Sequence, residues 1–177
     1  MTSFAVRPPR REEIPLARSR VKLKLLLKEQ EFEKSWSCRN ISGGDVHSLG
    51  TLMLESYRGT IDYEGEALED AIAEIHGTID GKYGPFWERC SFVIEQKGQA
   101  VAASLVVWSE DVNLPLLVYS MTHPDFKNQG MATFLLKKSI DALLAQGYKE
   151  LYLVVTEGNV SAQHLYQKIG FRVFEWR

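Results

Sequence analysis

Apolar residues along this chain fall into short stretches of distinct period, and each period predicts an element. From Arg20 the run Arg-Val-Lys-Leu-Lys-Leu alternates polar and apolar positions, which predicts a strand with one buried face continuing to Leu27. Residues 31–41 are expected to supply its antiparallel partner. Val46, Leu49, Leu52 and Met53 fall on one helical face behind Asp45, so a helix capped by Asp45 is predicted, fading by residues 57–59. Leu68, Ala71, Ile72 and Ile75 recur at i, i+3, i+4 and i+7, the stripe of a second helix, and residues 77–85 are expected to break it.

The next apolar runs, residues 91–96 and 100–108, are separated by Lys97, Gly98 and Gln99. They predict a hairpin in which Gly98 supplies the positive φ. A third strand at residues 116–121 completes an antiparallel meander. A helix follows from Gly130 to about Gln146, with Leu136, Ile140, Leu143 and Leu144 inward and Gly147 at its C-terminal end. A buried strand at residues 151–156 leads to a last helix carrying Ala162, Leu165, Tyr166 and Ile169 on one face. Gly170 ends that helix before a final strand at residues 171–176.

Composition narrows the function. The chain has 177 residues, 45% of them hydrophobic, enough for one sizeable core. Residues 1–18 are rich in Arg and Pro and show no apolar period, so an irregular arm is expected there. A formal net charge of −2 argues against a general nucleic-acid binder and toward a small-molecule partner. No apolar run approaches the roughly 20 residues needed to span a bilayer, and the N-terminus lacks the apolar core of a secretory signal. No membrane partner is expected, and a cytoplasmic location is the default. Cys38 and Cys90 and the scattered residues His47, His76, His123 and His164 make no ligand spacing, so no metal and no disulfide framework are expected.

Two segments carry chemistry. Thr122-His-Pro-Asp-Phe-Lys-Asn-Gln-Gly-Met-Ala-Thr133 joins a strand to a helix start, where unsatisfied N–H groups and a partial positive charge make an anion site. Gly130 and Ala132 are small enough to admit a pyrophosphate, and Lys127 adds charge. The same turn would serve equally as a tight structural connection. The second segment is Asn159-Val-Ser-Ala-Gln-His-Leu-Tyr-Gln-Lys-Ile-Gly-Phe171, which by itself would suit an ordinary amphipathic helix capped by Gly170.

The first segment resembles the pyrophosphate-binding motif of the GNAT superfamily of CoA-dependent N-acetyltransferases: Gln or Arg, two residues, Gly, one residue, then Gly or Ala. It departs by Lys127 at the first position, which keeps the charge without a planar fork for bidentate phosphate contact. The second segment matches the family's Asn-x-x-Ala-x-x-Leu-Tyr-x-x-x-Gly-Phe at every fixed position. The resemblance implies an α+β fold with a mixed, mostly antiparallel sheet flanked by helices. It divides the chain into an N-terminal arm and extra strand at residues 1–34 and the acetyltransferase domain at residues 35–177. It also implies acetyl-CoA as co-substrate and transfer of an acetyl group to a primary amine of a small molecule or peptide. Pantetheine would lie along the backbone of Ser120, Met121 and Thr122, between two diverging strands. The remaining cofactor contacts would fall on Lys127, Asn128, Gln129, Gly130, Met131, Ala132, Thr133 and Asn159.

On the same resemblance Tyr166 is the general acid for the departing thiolate, since a phenol with pKa near 10 keeps its proton at neutral pH. Residues 116–121 hold no carboxylate to act as base, which leaves Glu157, Glu55, Asp62, Glu64 or a water chain. Residues 55–80 are strongly acidic, either as a solvated helix face or as a site for a cationic acceptor, which the resemblance makes a small polyamine-like, amino-sugar or amino-acid amine, with Tyr57, Tyr63, Tyr83, Phe86 and Trp87 as its wall. A non-catalytic acyl-CoA-binding module of the same fold is the alternative. A typical family member adds two strands after Gly-Phe where this sequence has room for one. Residues 21–27 are therefore expected to fill the vacant place, within the chain or across a homodimer.

Overall fold

The computed structural model describes residues 19–175; the arm expected at residues 1–18, and Trp176 of the last predicted strand, lie outside them. In chain order the elements are β1 (Arg20–Leu26), β2 (Arg39–Asn40), α1 (Val46–Tyr57), α2 (Leu68–Ile79), β3 (Phe92–Gln96), β4 (Gln99–Ser109), β5 (Leu114–Thr122), α3 (Met131–Ala145), β6 (Glu150–Thr156), α4 (Val160–Ile169) and β7 (Arg172–Val173). They form one sheet in the order β2-β3-β4-β5-β6-β1-β7. Every neighbouring pair is antiparallel except β5 with β6, which is parallel. This is the mixed, mostly antiparallel sheet flanked by helices that the motifs imply.

Two apolar layers cover the sheet. Leu49, Leu52 and Met53 of α1 and Ala71 and Ile75 of α2 pack on one face with Val107, Val118 and Tyr152. Leu136, Ile140 and Leu143 of α3 and Ala162 and Tyr166 of α4 pack on the other with Leu23, Leu25 and Leu153. The β3–β4 turn is tighter than predicted: Lys97 and Gly98 both hold positive φ, at 51° and 76°, as a two-residue hairpin requires, and Gln99 already belongs to β4. Asp45 does not cap α1 with its side chain. Its carboxylate turns back to the Ser42 N–H at 2.8 Å and pairs with Arg39 at 2.7 Å. Nor does Gly77 end α2, which runs on to Ile79.

Residues 31–41 do not pair with β1. Only Arg39–Asn40 is a strand, and it pairs with β3 at the opposite edge of the sheet. The segment before it lacks the alternating apolar face of a strand; Phe32 and Trp36 lie edge-on to Phe134 of α3 instead, at 5.6 and 5.4 Å. β1 lies inside the sheet of its own chain. It pairs along its length with β6, from Arg20↔Thr156 to Leu26↔Glu150, and on its other side with β7 at Leu23↔Val173.

Gly84 fixes the loop between α2 and β3. A Cβ at this position would lie 1.8 Å from the Trp108 carbonyl oxygen, and its φ of +113° strains any other residue. Because the obstacle is backbone, Gly84→Ala is expected to cost about 3 kcal/mol and to lower the thermal midpoint by roughly 10 °C. An unchanged melting curve would contradict this.

Candidate functional site

The site begins where β5 and β6 part. The two strands pair only at Leu116↔Tyr152, although β5 continues to Thr122 and β6 to Thr156. β5 also carries a bulge: Leu105 pairs with Tyr119 and Val106 with Leu117, leaving Val118 as the extra residue. The insertion reverses the alternation, so Leu116, Val118, Tyr119 and Met121 all join the core under α1 and α2. Ser120 is thereby turned to the opposite face, where its side chain hydrogen-bonds Tyr166. At the end of β5 the Thr122 carbonyl accepts from Ser56 Oγ at 3.1 Å. The Thr122 hydroxyl is buried with no hydrogen-bond partner among the described residues. Such an orphan is costly unless a ligand supplies the missing bond.

Beyond Thr122 the chain turns into α3 through two left-handed residues, Asn128 at φ 61° and Gly130 at φ 85°. The first turn of α3 receives no side-chain cap, so its leading N–H groups stay available to an anion. Thr122, Phe126, Asn128, Gly130, Met131, Ala132 and Thr133 line one cavity of about 240 Å3, together with Leu165 of α4. Six residues singled out from the sequence, Thr122, Asn128, Gly130, Met131, Ala132 and Thr133, thus meet in one place. Lys127 and Gln129 stand outside this lining: burial pushes the Lys127 ammonium pKa down, and the Gln129 carbonyl accepts from Lys34 Nζ at 3.4 Å. Ser120 and Met121 lie buried within β5. Asn159 caps α4, accepting from the Ala162 N–H at 3.3 Å. Lys34, Trp36, Lys137 and Lys168 line an adjoining cavity of about 180 Å3 that shares Gly130 and Thr133. The sequence reading missed this basic rim because it is assembled from three distant segments.

Tyr166 is fully buried, edge-on to Phe171 at 5.5 Å. Burial is the main reason its phenol is held well above its ordinary pKa; the Ser120 hydrogen bond opposes the shift and the Asp62 carboxylate adds to it. Asp62 is itself buried and accepts from Thr156 Oγ1 at 2.6 Å. The other candidate bases are elsewhere: Glu157 and Glu64 are exposed, and Glu55 pairs with Arg58 at 3.3 Å.

A carboxylate that the sequence distinguishes only as one of the acids in residues 55–80 occupies the far side of β5. Glu74 of α2 accepts from Tyr119 Oη at 2.6 Å, from Lys82 Nζ at 2.6 Å and from Tyr83 Oη. Burial pushes its carboxyl pKa up, but the hydrogen bonds from Lys82, Tyr119 and Tyr83 outweigh burial and hold it below its ordinary value. Glu74 borders a cavity walled by Met53, Leu54, Tyr57, Tyr63, Ala71 and Tyr119. The expected aromatic wall is only partly here. Tyr57 and Tyr63 line it, Tyr83 reaches Glu74, Phe86 packs into the core, and Trp87 stacks on Trp108 at 5.4 Å, against the other layer.

Among the described residues no group of His, Cys, Asp and Glu side chains forms a metal set, and both cysteines are free thiols. No helix among them is long and apolar enough to cross a membrane. The model of the acetyltransferase (GNAT) family matches residues 52–171. No curated protein matches the chain. Among solved structures, a GCN5-related N-acetyltransferase from Sphaerobacter thermophilus superposes with a TM-score of 0.65 at 15% identity, covering 88% of this chain and 48% of its own. An acetyltransferase of the GNAT family from Novosphingobium aromaticivorans gives 0.58 at 22% identity, covering 89% and 61%. This chain therefore spans less than two thirds of either. An acetyltransferase from Clostridium acetobutylicum, solved with acetyl-CoA, gives 0.57 at 14% identity, covering 80% and 93%. At these identities the likeness is one of fold.

Proposed function

This chain belongs to the acetyltransferase (GNAT) family, and from that premise we propose that it is an N-acetyltransferase moving an acetyl group from acetyl-CoA to the primary amine of a small molecule or peptide. The observation that carries the reading is the orphaned Thr122 hydroxyl beside the uncapped first turn of α3, at the open end of the β5–β6 pair. When bound, acetyl-CoA supplies a thioester carbonyl that a neutral amine attacks, with CoA leaving as the thiolate and the proton shed by the nitrogen passing to solvent or to that thiolate. The α3 N–H groups bind its pyrophosphate, with Lys34, Lys137 and Lys168 as the nearby cations. The Thr122 hydroxyl and the free edge of β5 at Ser120 and Met121 orient the pantetheine arm.

Tyr166 holds its proton at the sulfur. A thiol titrates near 8.5, below the raised phenol, so complete transfer from Tyr166 is uphill. Its contribution is a hydrogen bond to charge developing on sulfur. The acceptor we propose is cationic, supported by Glu66, Asp70 and Glu74 on the cavity under α1 and α2. The second reading, an acyl-CoA-binding module without turnover, draws on the lack of a carboxylate on β5.

CoA at 100 times its Kd is expected to stabilise the chain by about 2.7 kcal/mol, raising the thermal midpoint by roughly 5–10 °C. Thr122→Val should reduce that shift. Thiol release from acetyl-CoA against a panel of amines then separates the readings: a shift without release supports the binding module, and no shift at all overturns both.

A further inference from the structure

Resting on the acyl-transfer reading, the geometry points to a diamine acceptor: one nitrogen receives the acetyl group while the second, as ammonium, is held by Glu74 in the cavity between α1 and α2. The cavity measures about 60 Å3. A water-sized group occupies about 10–15 Å3 on this measure, so there is room for roughly four to six such groups. That suits an aliphatic chain ending in an ammonium. Met53, Leu54 and Ala71 give it apolar contact, and Tyr57 and Tyr63 complete the lining.

One nitrogen cannot serve both ends. The attacking amine must be neutral, whereas Glu74, ionised by its three donors, is a lasting counter-ion and a poor proton acceptor. A substrate that exploits Glu74 therefore carries a second, charged nitrogen. Lys82 is the group it would displace: its ammonium sits 2.6 Å from Glu74 on a half-exposed, flexible stem and can swing into solvent. Tyr119, which binds Glu74, is followed on β5 by Ser120, which binds Tyr166 on the opposite face. The Glu74 cavity and Tyr166 thus flank one strand at successive residues, on its two faces.

The test is calorimetric titration of the full chain with 1,5-diaminopentane, 1-aminopentane and 1,5-pentanediol, without acetyl-CoA. The diamine should bind about tenfold more tightly than the monoamine, and the diol should not bind. Glu74→Gln should abolish the preference, and Lys82→Ala should strengthen diamine binding roughly threefold or more by removing the internal competitor. Asp80→Asn, which removes an exposed charge at the end of the same helix, should leave the preference intact. Equal affinity for monoamine and diamine, a preference surviving Glu74→Gln, or weaker binding in Lys82→Ala overturns the proposal. If Glu74→Gln does not fold, Lys82→Ala decides. Because binding is read without turnover, a selective diamine complex that never releases thiol sinks the enzymatic reading alone, and release equally fast with monoamines sinks this one alone.

Discussion

A chain lacking residues 1–27 is expected to lose the cooperative fold. β1 sits between β6 and β7, so its removal leaves the inner edge of β6 unpaired and β7 without a neighbour. Leu23, Leu25 and Leu27 are buried against α3, α4 and β6. At about 1.5–3 kcal/mol for each buried side chain, their loss alone approaches the 5–15 kcal/mol by which a typical domain is stable. The bared edge of β6 should also promote association between chains. Solubility, size-exclusion elution and thermal unfolding of the truncated chain check this. A soluble monomer melting at the temperature of the intact chain would show that β1 is dispensable. The point variant Leu25→Ala should fall between the two, at about 3 kcal/mol.

Tyr166→Phe is expected to lower kcat by about a hundredfold while leaving the CoA thermal shift close to that of the unmodified chain. Phe keeps the ring that packs against Phe171 and removes only the O–H shared with Ser120. The pH profile gives a second readout. Tyr166 is required in its protonated form, and its pKa lies above the ordinary 10, so it stays protonated through neutral and moderately alkaline pH. Activity should therefore rise with pH as the acceptor amine loses its proton, with no fall assignable to Tyr166 below about pH 10. Turnover and profile both unchanged in Tyr166→Phe would remove the phenol from the chemistry and leave it a core aromatic.

Glu74 responds to acid in the opposite sense. Its folded pKa is depressed, so the stability it contributes is present above its unfolded value, near 4.5, and is lost as pH falls below that value through the folded one. Glu74 is thus ionised across the range in which an amine acceptor would be used.

Local patterns in the sequence determined the elements: period two at residues 21–27, the helical stripe of Leu68, Ala71, Ile72 and Ile75, and the two motifs ending at Thr133 and Phe171. Each is set by neighbours within a few residues, so the chain itself displays it. Tertiary structure alone decided which strands lie beside β1, because alternation specifies a buried face and not a partner. It also decided that residues 31–36 cover the start of α3, that Val118 bulges and turns Tyr119 and Ser120 to opposite faces, and that Thr122 is left unpartnered. Glu74 is the clearest case. In sequence it is one acid among many, and it becomes the centre of a site only because folding brings it to Tyr119, 45 residues away. Its chemistry comes from being desolvated beside that partner, and no local pattern encodes such an encounter.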